Sequence, residues 1–538
     1  MREISGRPLR ETRQALTYGD MRIRRGILLA VALGLLGPMP PQLRAQGSSA
    51  APSPTAPVAR PPAPTAARRP APSTALRATS PRGVDALRRD LARLVEVSTV
   101  RGEWGAMVVS LATGDTLFSR EADELLLPAS TMKLYTAALA FERFGPAHQF
   151  RTDVLRDGEI GADGTLQGNL YLRGAGDPAL GARYARWNDG VPPMQSIADL
   201  VYAAGVRRIS GDIVGDASAF ESRRVPEGWR TRYLQSGYAA RVSALSVNEN
   251  IANIVVRSTA GGATVSFEEP LIDLPFHSTV TVRPGSRSAY IRVWQDTTQD
   301  RFRVHGWIGA LSPERTYRVV VEQPERFAAA AFRAALQKRG IVVDGHAAAA
   351  TTPPSAERLT AWASPPLAQL AVTMNGESNN HFAELLFRNA ALSARGVGSA
   401  EAANEALRSF LAERAGVRRD AVYAADGSGL STLDRVTTRS MVHLLAYAQA
   451  APWGEVFQAT LPVAGRTETL RTRMRRTAAD NNLRGKTGTT NDVTSLAGYV
   501  TTQDGELLAF AFLYNGRELW RAREAIDAMG ATLAAFAR

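Results

Sequence analysis

At 538 residues the chain is too long for one hydrophobic core, so two or three domains are expected. Its 45% hydrophobic and 21% charged residues are those of a soluble globular protein. The net charge of +13 points to a polyanion partner only until it is located: residues 1–82 hold thirteen arginines against Glu3, Glu11 and Asp20. The rest of the chain is nearly balanced and has no basic stripe with interleaved aromatics, which excludes a nucleic-acid binder. With no cysteine, disulfides, thiolate metal sites and a lipid-attachment thiol are excluded too.

Met21 opens a second plausible start, followed by Arg22, Arg24 and Arg25, an apolar run from Gly26 to Gly37, and Leu43-Arg44-Ala45. Residues 1–45 therefore read as a secretory signal, with the true start at 21 in play, and export to the periplasm or cell envelope is expected. The apolar run is too short to cross roughly 30 Å of hydrocarbon as a helix, so no stable membrane anchor is expected. Residues 46–83 are rich in Pro, Ala, Ser and Thr and read as an extended tether.

Order is expected from Val84, where Leu87, Leu91, Leu94 and Val95 recur at helical spacing. Trp104–Leu111 and Thr116–Ser119 flank an Ala-Thr-Gly-Asp turn, and Leu134–Phe144 reads as an apolar helix stopped by Gly145-Pro146. From 153 to 355 the texture changes to short β-like runs: Leu166–Leu172, Ile209–Val214, Ile251–Ser258 and Thr279–Trp294. Helical patterns return at Phe382–Leu392 and Ala402–Arg414. Strands come next at Leu483–Lys486, Thr494–Val500 and Leu507–Tyr514, and Arg521–Phe536 is a closing helix. The fold class is thus α+β: an antiparallel sheet flanked by helices, from 84–152 and 356–538, with 153–355 inserted as one or two β-rich domains.

Only three of the chain's cations are lysines: Lys133, Lys338 and Lys486. Buried lysine can lose its proton and act as a base, which arginine cannot. Ser130-Thr131-Met132-Lys133 puts a hydroxyl and an amine on one face of a helix start, near its free amides. The plain alternative is an N-cap serine and a surface lysine. Lys486-Thr487-Gly488-Thr489, on an edge strand, offers a cation and hydroxyls to a carboxylate, and Gly488 leaves room for a substrate backbone. Ser378-Asn379-Asn380 precedes the helix of Phe382, where Ser and Asn are also ordinary caps. Acyl transfer needs a nucleophile, a base, a proton route and oxyanion donors, and the order Ser-x-x-Lys, Ser-x-Asn, Lys-Thr-Gly supplies them.

With these motifs the chain resembles, over about 84–538, the D-alanyl-D-alanine carboxypeptidase/endopeptidase family of class C low-molecular-mass penicillin-binding proteins, akin to penicillin-binding protein 4. Further matching segments are Gly174-Ala175-Gly176-Asp177-Pro178, Ser243-Ala244-Leu245 with Asn248, Met374-Asn375, Asp426–Ser431 and Leu461–Gly465. The resemblance implies a D,D-peptidase acting on peptidoglycan and inhibited by β-lactams, with no cofactor. It implies that Ser130 is acylated, that Lys133 is its base, that Ser378 relays a proton and that Asn380 binds the substrate amide. Lys486, Thr487 and Thr489 would hold the terminal carboxylate, with the Ser130 and Thr489 amides as oxyanion donors. Two segments depart from the pattern: Thr467-Glu468-Thr469 and Arg230-Thr231-Arg232. The competing readings are a β-lactamase or esterase with the same triplet, and a catalytically inactive wall-binding scaffold. Of the other polar residues, His148, His277, His305, His346, His381 and His443 lack paired metal spacing, so no metal is expected. Lys338 reads as a helix end, and Trp104, Trp294 and Trp307 as packing.

Overall fold

Strands from the two ends of the chain build one sheet. The computed structural model describes residues 76–98, 101–268, 274–296 and 301–538; the signal reading and most of the tether lie outside them. The sheet has five antiparallel strands, in the order Arg484–Thr489, Val493–Thr501, Leu507–Gly516, Gly102–Ser110, Thr116–Arg120. Strand Leu507–Gly516 is buried on both faces, and its alternate side chains enter different cores. Leu508, Phe510 and Phe512 meet the helices Val84–Ser98 and Leu519–Ala534, through Leu91, Ile526 and Met529. Ala509, Ala511 and Leu513 meet the helical layer that contains Met132–Phe144.

Helix Met132–Phe144 is buried from Met132 to Phe141, as an apolar helix enclosed by others should be. It packs against Asn380–Arg395, and Gly145 at φ 75° ends it where the sequence predicts. Between these two helices in the chain comes the β-rich segment. Its largest sheet has five strands, in the order Ala347–Ala349, Ile213–Asp216, Leu170–Arg173, Arg151–Arg156, Glu357–Ala363, with two parallel pairings. The outer pair, Arg151–Arg156 with Glu357–Ala363, joins chain from both sides of the segment.

Two expected strands are each divided. Thr279–Trp294 becomes Phe276–Arg283 and Ala289–Asp296 around Pro284-Gly285, with Gly285 at φ 69°, and Leu166–Leu172 breaks at Gly168. Two helices, Pro193–Ala203 and Pro324–Arg339, were not expected in this segment. Both open on proline, and the second ends on left-handed Gly340 with Lys338 in its last turn, so their boundary signals were present. Trp104 packs on Tyr514 with ring centroids 5.1 Å apart, and Trp307 lies under the Arg283 guanidinium. Trp294 departs from the packing expectation: it is 37% exposed.

The loop Asp426–Ser431 passes directly against the start of helix Met132–Phe144. Gly429 there has φ 83°, and a Cβ on it would stand 1.8 Å from the carbonyl oxygen of Ala129. Gly429→Ala is therefore expected to lower stability by about 1–3 kcal/mol, read as a fall in the urea midpoint. An unchanged midpoint would show that the loop yields freely.

Candidate active site

A three-residue turn, Ala129–Thr131, runs straight into helix Met132–Phe144 and carries Ser130. Ala129 sits at φ 48°, a conformation rare for a residue with a Cβ. The turn is held through the Pro128 carbonyl, which accepts from Thr131 Oγ1 at 2.7 Å and from Ser495 Oγ at 2.8 Å. Gly488 is the strand's side of this contact: a Cβ there would lie 2.1 Å from Ser495 Oγ and 2.7 Å from the Pro128 oxygen. Its bareness lets the Lys-Thr-Gly strand close on the Ser130 turn.

Lys133 is fully buried, and its Nζ donates to Ser130 Oγ at 2.9 Å, Asn380 Oδ1 at 2.7 Å and the Ser428 carbonyl at 2.7 Å. All three hydrogens of the ammonium thus have acceptors, yet burial outweighs them and brings its pKa down to about 7. The charges of Asp426, Glu384 and Asp434 oppose that fall. A neutral lysine within reach of a serine hydroxyl is what a general base requires.

Ser378, at φ 57°, hydrogen-bonds Lys486 Nζ at 2.9 Å. Asn379 caps helix Asn380–Arg395 by accepting from the Phe382 amide at 3.1 Å, which leaves Asn380 free to face Lys133. The other half of the Asn380 amide donates to the Tyr238 carbonyl at 2.9 Å. Lys486 is also fully buried, bonded to Ser378 and its own strand's Thr487 carbonyl. Burial, together with the nearby Lys133 charge, holds its pKa well below the ordinary lysine range. Ser130, Lys133 and Asn380 thus form one hydrogen-bonded group and Ser378 with Lys486 a second, the latter on an edge strand where Thr487 is nearly buried and Thr489 exposed. Among the described residues no group of three or more His, Cys, Asp or Glu is placed to hold a metal, and no helix is long and apolar enough to cross a membrane.

Two supports around this cluster were not predicted. Asp426 is buried and accepts from the amides of Ser428, Gly429 and Ser431, from Ser428 Oγ, and from Trp229 Nε1 at 2.7 Å. It fixes the loop whose Ser428 carbonyl holds Lys133. Its neighbours Glu384, raised to about 8, and Asp434, raised well above the carboxylate range, are both pushed up first by burial and then by Asp426. The second support is Asn248-Glu249-Asn250, three successive residues at positive φ. Glu249 accepts from Tyr184 Oη and from Asn379 Nδ2 at 3.0 Å, and pairs with Arg183, which also grips Glu377. A single sequence signals this only through its Asn residues, which tolerate the left-handed region. Beside it His381 is buried and held neutral, its pKa lowered by burial to about 4.

The two departures also have places. Glu468 adopts φ 45° in the short turn Glu468–Leu470, and Arg230 ion-pairs with Asp492, in the turn after the Lys486 strand.

A buried lysine beside a helix-start serine, faced by Ser-x-Asn and Lys-Thr-Gly, defines a serine acyltransferase of the penicillin-binding class. Residues 87–536 match the D-Ala-D-Ala carboxypeptidase 3 (S13) family, and the chain belongs to it. It is 33% identical over 474 residues to a D-alanyl-D-alanine carboxypeptidase of Actinomadura sp. (strain R39), covering 84% of this chain and 85% of that one. It is 28% identical over 401 residues to the D-alanyl-D-alanine carboxypeptidase DacB of Haemophilus influenzae, covering 73% and 81%. The crystal structure of penicillin-binding protein 4 (dacB) from Haemophilus influenzae superposes with a TM-score of 0.69 at 25% identity, covering 82% of this chain and 98% of that one. The protein is therefore a serine-type hydrolase of the D-Ala-D-Ala carboxypeptidase class, and its α+β penicillin-binding fold is the one expected from the sequence.

With Lys133 near 7, the base form grows about tenfold per pH unit below that value and levels off above it. Serine acylation by benzylpenicillin should rise from pH 5.5 and flatten above pH 7.5, and Lys133→Arg should remain folded but be slowed by about 10²- to 10⁴-fold. A flat profile or an active arginine variant would deny Lys133 the role of base. Glu249→Ala should cut kcat on soluble peptides by about 10- to 100-fold through loss of Asn379 and Asn380 placement. Glu249→Gln, whose single oxygen can accept from Asn379 or from Tyr184 but not from both, should recover part of that loss; equal defects in the two variants would mean that the full carboxylate is required.

Proposed function

We propose that the protein is an exported D,D-peptidase that removes the terminal D-alanine from peptidoglycan stem peptides through an acyl-enzyme on Ser130. The observation that carries this is the 2.9 Å contact between Ser130 Oγ and the amine of a fully buried Lys133. Neutral Lys133 takes the hydroxyl proton as Oγ attacks the penultimate residue's carbonyl carbon. The backbone amides of Ser130 and Thr489 are assigned to the developing oxyanion. The proton returns to the departing D-alanine nitrogen by way of Ser378, and water then hydrolyses the ester with Lys133 again as base. Asn380 is given the substrate amide, and Thr487 and Thr489 the C-terminal carboxylate. The peptidase domain is taken as 84–152 with 356–538, which together supply the whole antiparallel sheet, and 153–355 as the insertion. Export is supported by the signal-like pattern of residues 21–45 and by the location of such a substrate.

Lys486 links catalysis to a free C-terminus. Burial and Lys133 disfavour its charge, and a substrate carboxylate would favour it. β-Lactams carry a comparable carboxylate and should acylate the same serine. The relatives' crystal structures include one of the Haemophilus influenzae protein complexed with a β-lactam.

Mass spectrometry after benzylpenicillin treatment should find the adduct on the Ser130 peptide and show it persisting; release within seconds would favour a β-lactamase, and no adduct would sink the mechanism. Digestion of purified sacculi should release D-alanine. A charge-assisted contact is worth about 1.5–3 kcal/mol, so Lys486→Ala should lower kcat/KM about 10- to 150-fold for a peptide with a free carboxylate. It should affect the C-terminally amidated peptide much less. Equal losses would assign Lys486 to the Ser378 proton route alone.

A further inference from the structure

We propose that the solvent face of the sheet Phe276–Arg283, Arg301–Gly309 and Ala289–Asp296 docks a glycan strand of peptidoglycan bearing acidic stem peptides. This deepens, and rests on, the wall-peptide reading of the Ser130 site. Side chains alternate across a strand, and one face here packs Val280, Val293, Phe302 and Ile308 into the core of the inserted segment. The other face of such a sheet is normally polar. On this one Tyr290 lies opposite Trp307, Arg292 opposite His305, and Trp294 opposite Arg303.

Tyr290 is 57% and Trp294 37% exposed, so two large rings stand in water two registers apart on a single strand. Trp307 is half-buried, with the Arg283 guanidinium 4.0 Å from its ring centre. Among the described residues of the three strands, Arg283, Arg292, Arg301 and Arg303 face one acid, Asp296, which pairs with Arg303. Flat rings offer stacking surfaces for the apolar C–H faces of sugars, and guanidinium groups match carboxylates bidentately. A sugar chain hung with acidic peptides combines both features.

The face also leads toward the site. Gln235, Arg292, Val293 and Trp294 line a hollow of about 640 Å³. Gln235 lies in the loop that also carries Arg230, paired to Asp492 after the Lys486 strand, and Tyr238, whose carbonyl holds Asn380. A strand seated over Trp294 would place its peptides beside that loop.

The test compares the full chain with a Tyr290→Ser/Arg292→Ser/Trp294→Ser variant, and with Trp294→Ser alone. Three quantities are read: benzylpenicillin acylation, turnover of a soluble D-Ala-D-Ala peptide, and co-sedimentation with purified sacculi. Acylation and soluble turnover should match wild type in both variants, while sacculus affinity falls about tenfold or more in the triple variant and by less in the single one. Soluble glycan strands freed of peptides by an amidase should still bind wild type more tightly than the variant in a direct binding assay, by a smaller margin than intact sacculi do. Unchanged co-sedimentation with sacculi overturns the proposal, as does equal binding of wild type and variant to the peptide-free strands. Equal competition by single-stranded DNA, which also stacks and carries charge, would mark a general polyanion surface and overturn it too. Failure of wild type to be acylated would instead count against the Ser130 mechanism, independently of the sacculus result.

Discussion

The site depends on keeping an amine dry. Lys133 lies at the start of a helix buried on every side, between the helix Asn380–Arg395 and the loop Asp426–Ser431. Removing an ammonium from water costs several kcal/mol unless it is paired or surrenders its proton. Here no carboxylate touches the nitrogen; its partners are a hydroxyl, an amide and a carbonyl. Three dipoles orient it, while burial brings its pKa down to about 7, and on the proposed mechanism that shift makes a base from a residue that is ordinarily an acid. The packing that excludes water is therefore part of the chemistry.

The acids nearby obey the same logic. Three carboxyl groups, Asp426, Glu384 and Asp434, lie within influence of Lys133, and the charge of each opposes the fall in its pKa that burial causes. Burial first, and then Asp426, push Glu384 and Asp434 up, while Asp426 itself accepts from the backbone amides of its loop. Trp229 ties Asp426 to the inserted segment, as Glu249 ties Asn379 to it. The insertion thus takes part in fixing the machinery from two directions.

What the sequence made legible was local. Ser130 and Lys133 are three residues apart, and Lys486-Thr487-Gly488 is continuous, so helical or strand geometry alone predicts which side chains share a face. The Asp426 and Glu249 networks were not legible, because their partners are separated by up to about two hundred positions and only the fold joins them. Gly488 shows the limit from the other side. Its spacing announced a close approach, but only the structure identifies the approaching group as the Pro128 turn. In the insertion the β-like texture hid two helices whose proline and glycine boundaries were in plain view.

Pairing of Gly102–Ser110 with Leu507–Gly516 has a consequence for how the molecule comes into being. That contact closes a loop of roughly four hundred residues, and such long-range pairings form late because chain entropy is lost before the contact returns anything. Ser130 and Lys133 are synthesised early, whereas the strand that carries Lys486 and the sheet's central strand are among the last segments made. A chain emerging N-terminus first cannot bring Lys486 to Ser378, or close the sheet against helix Met132–Phe144, until its final strands arrive. Completion of the proposed site is thereby timed by topology.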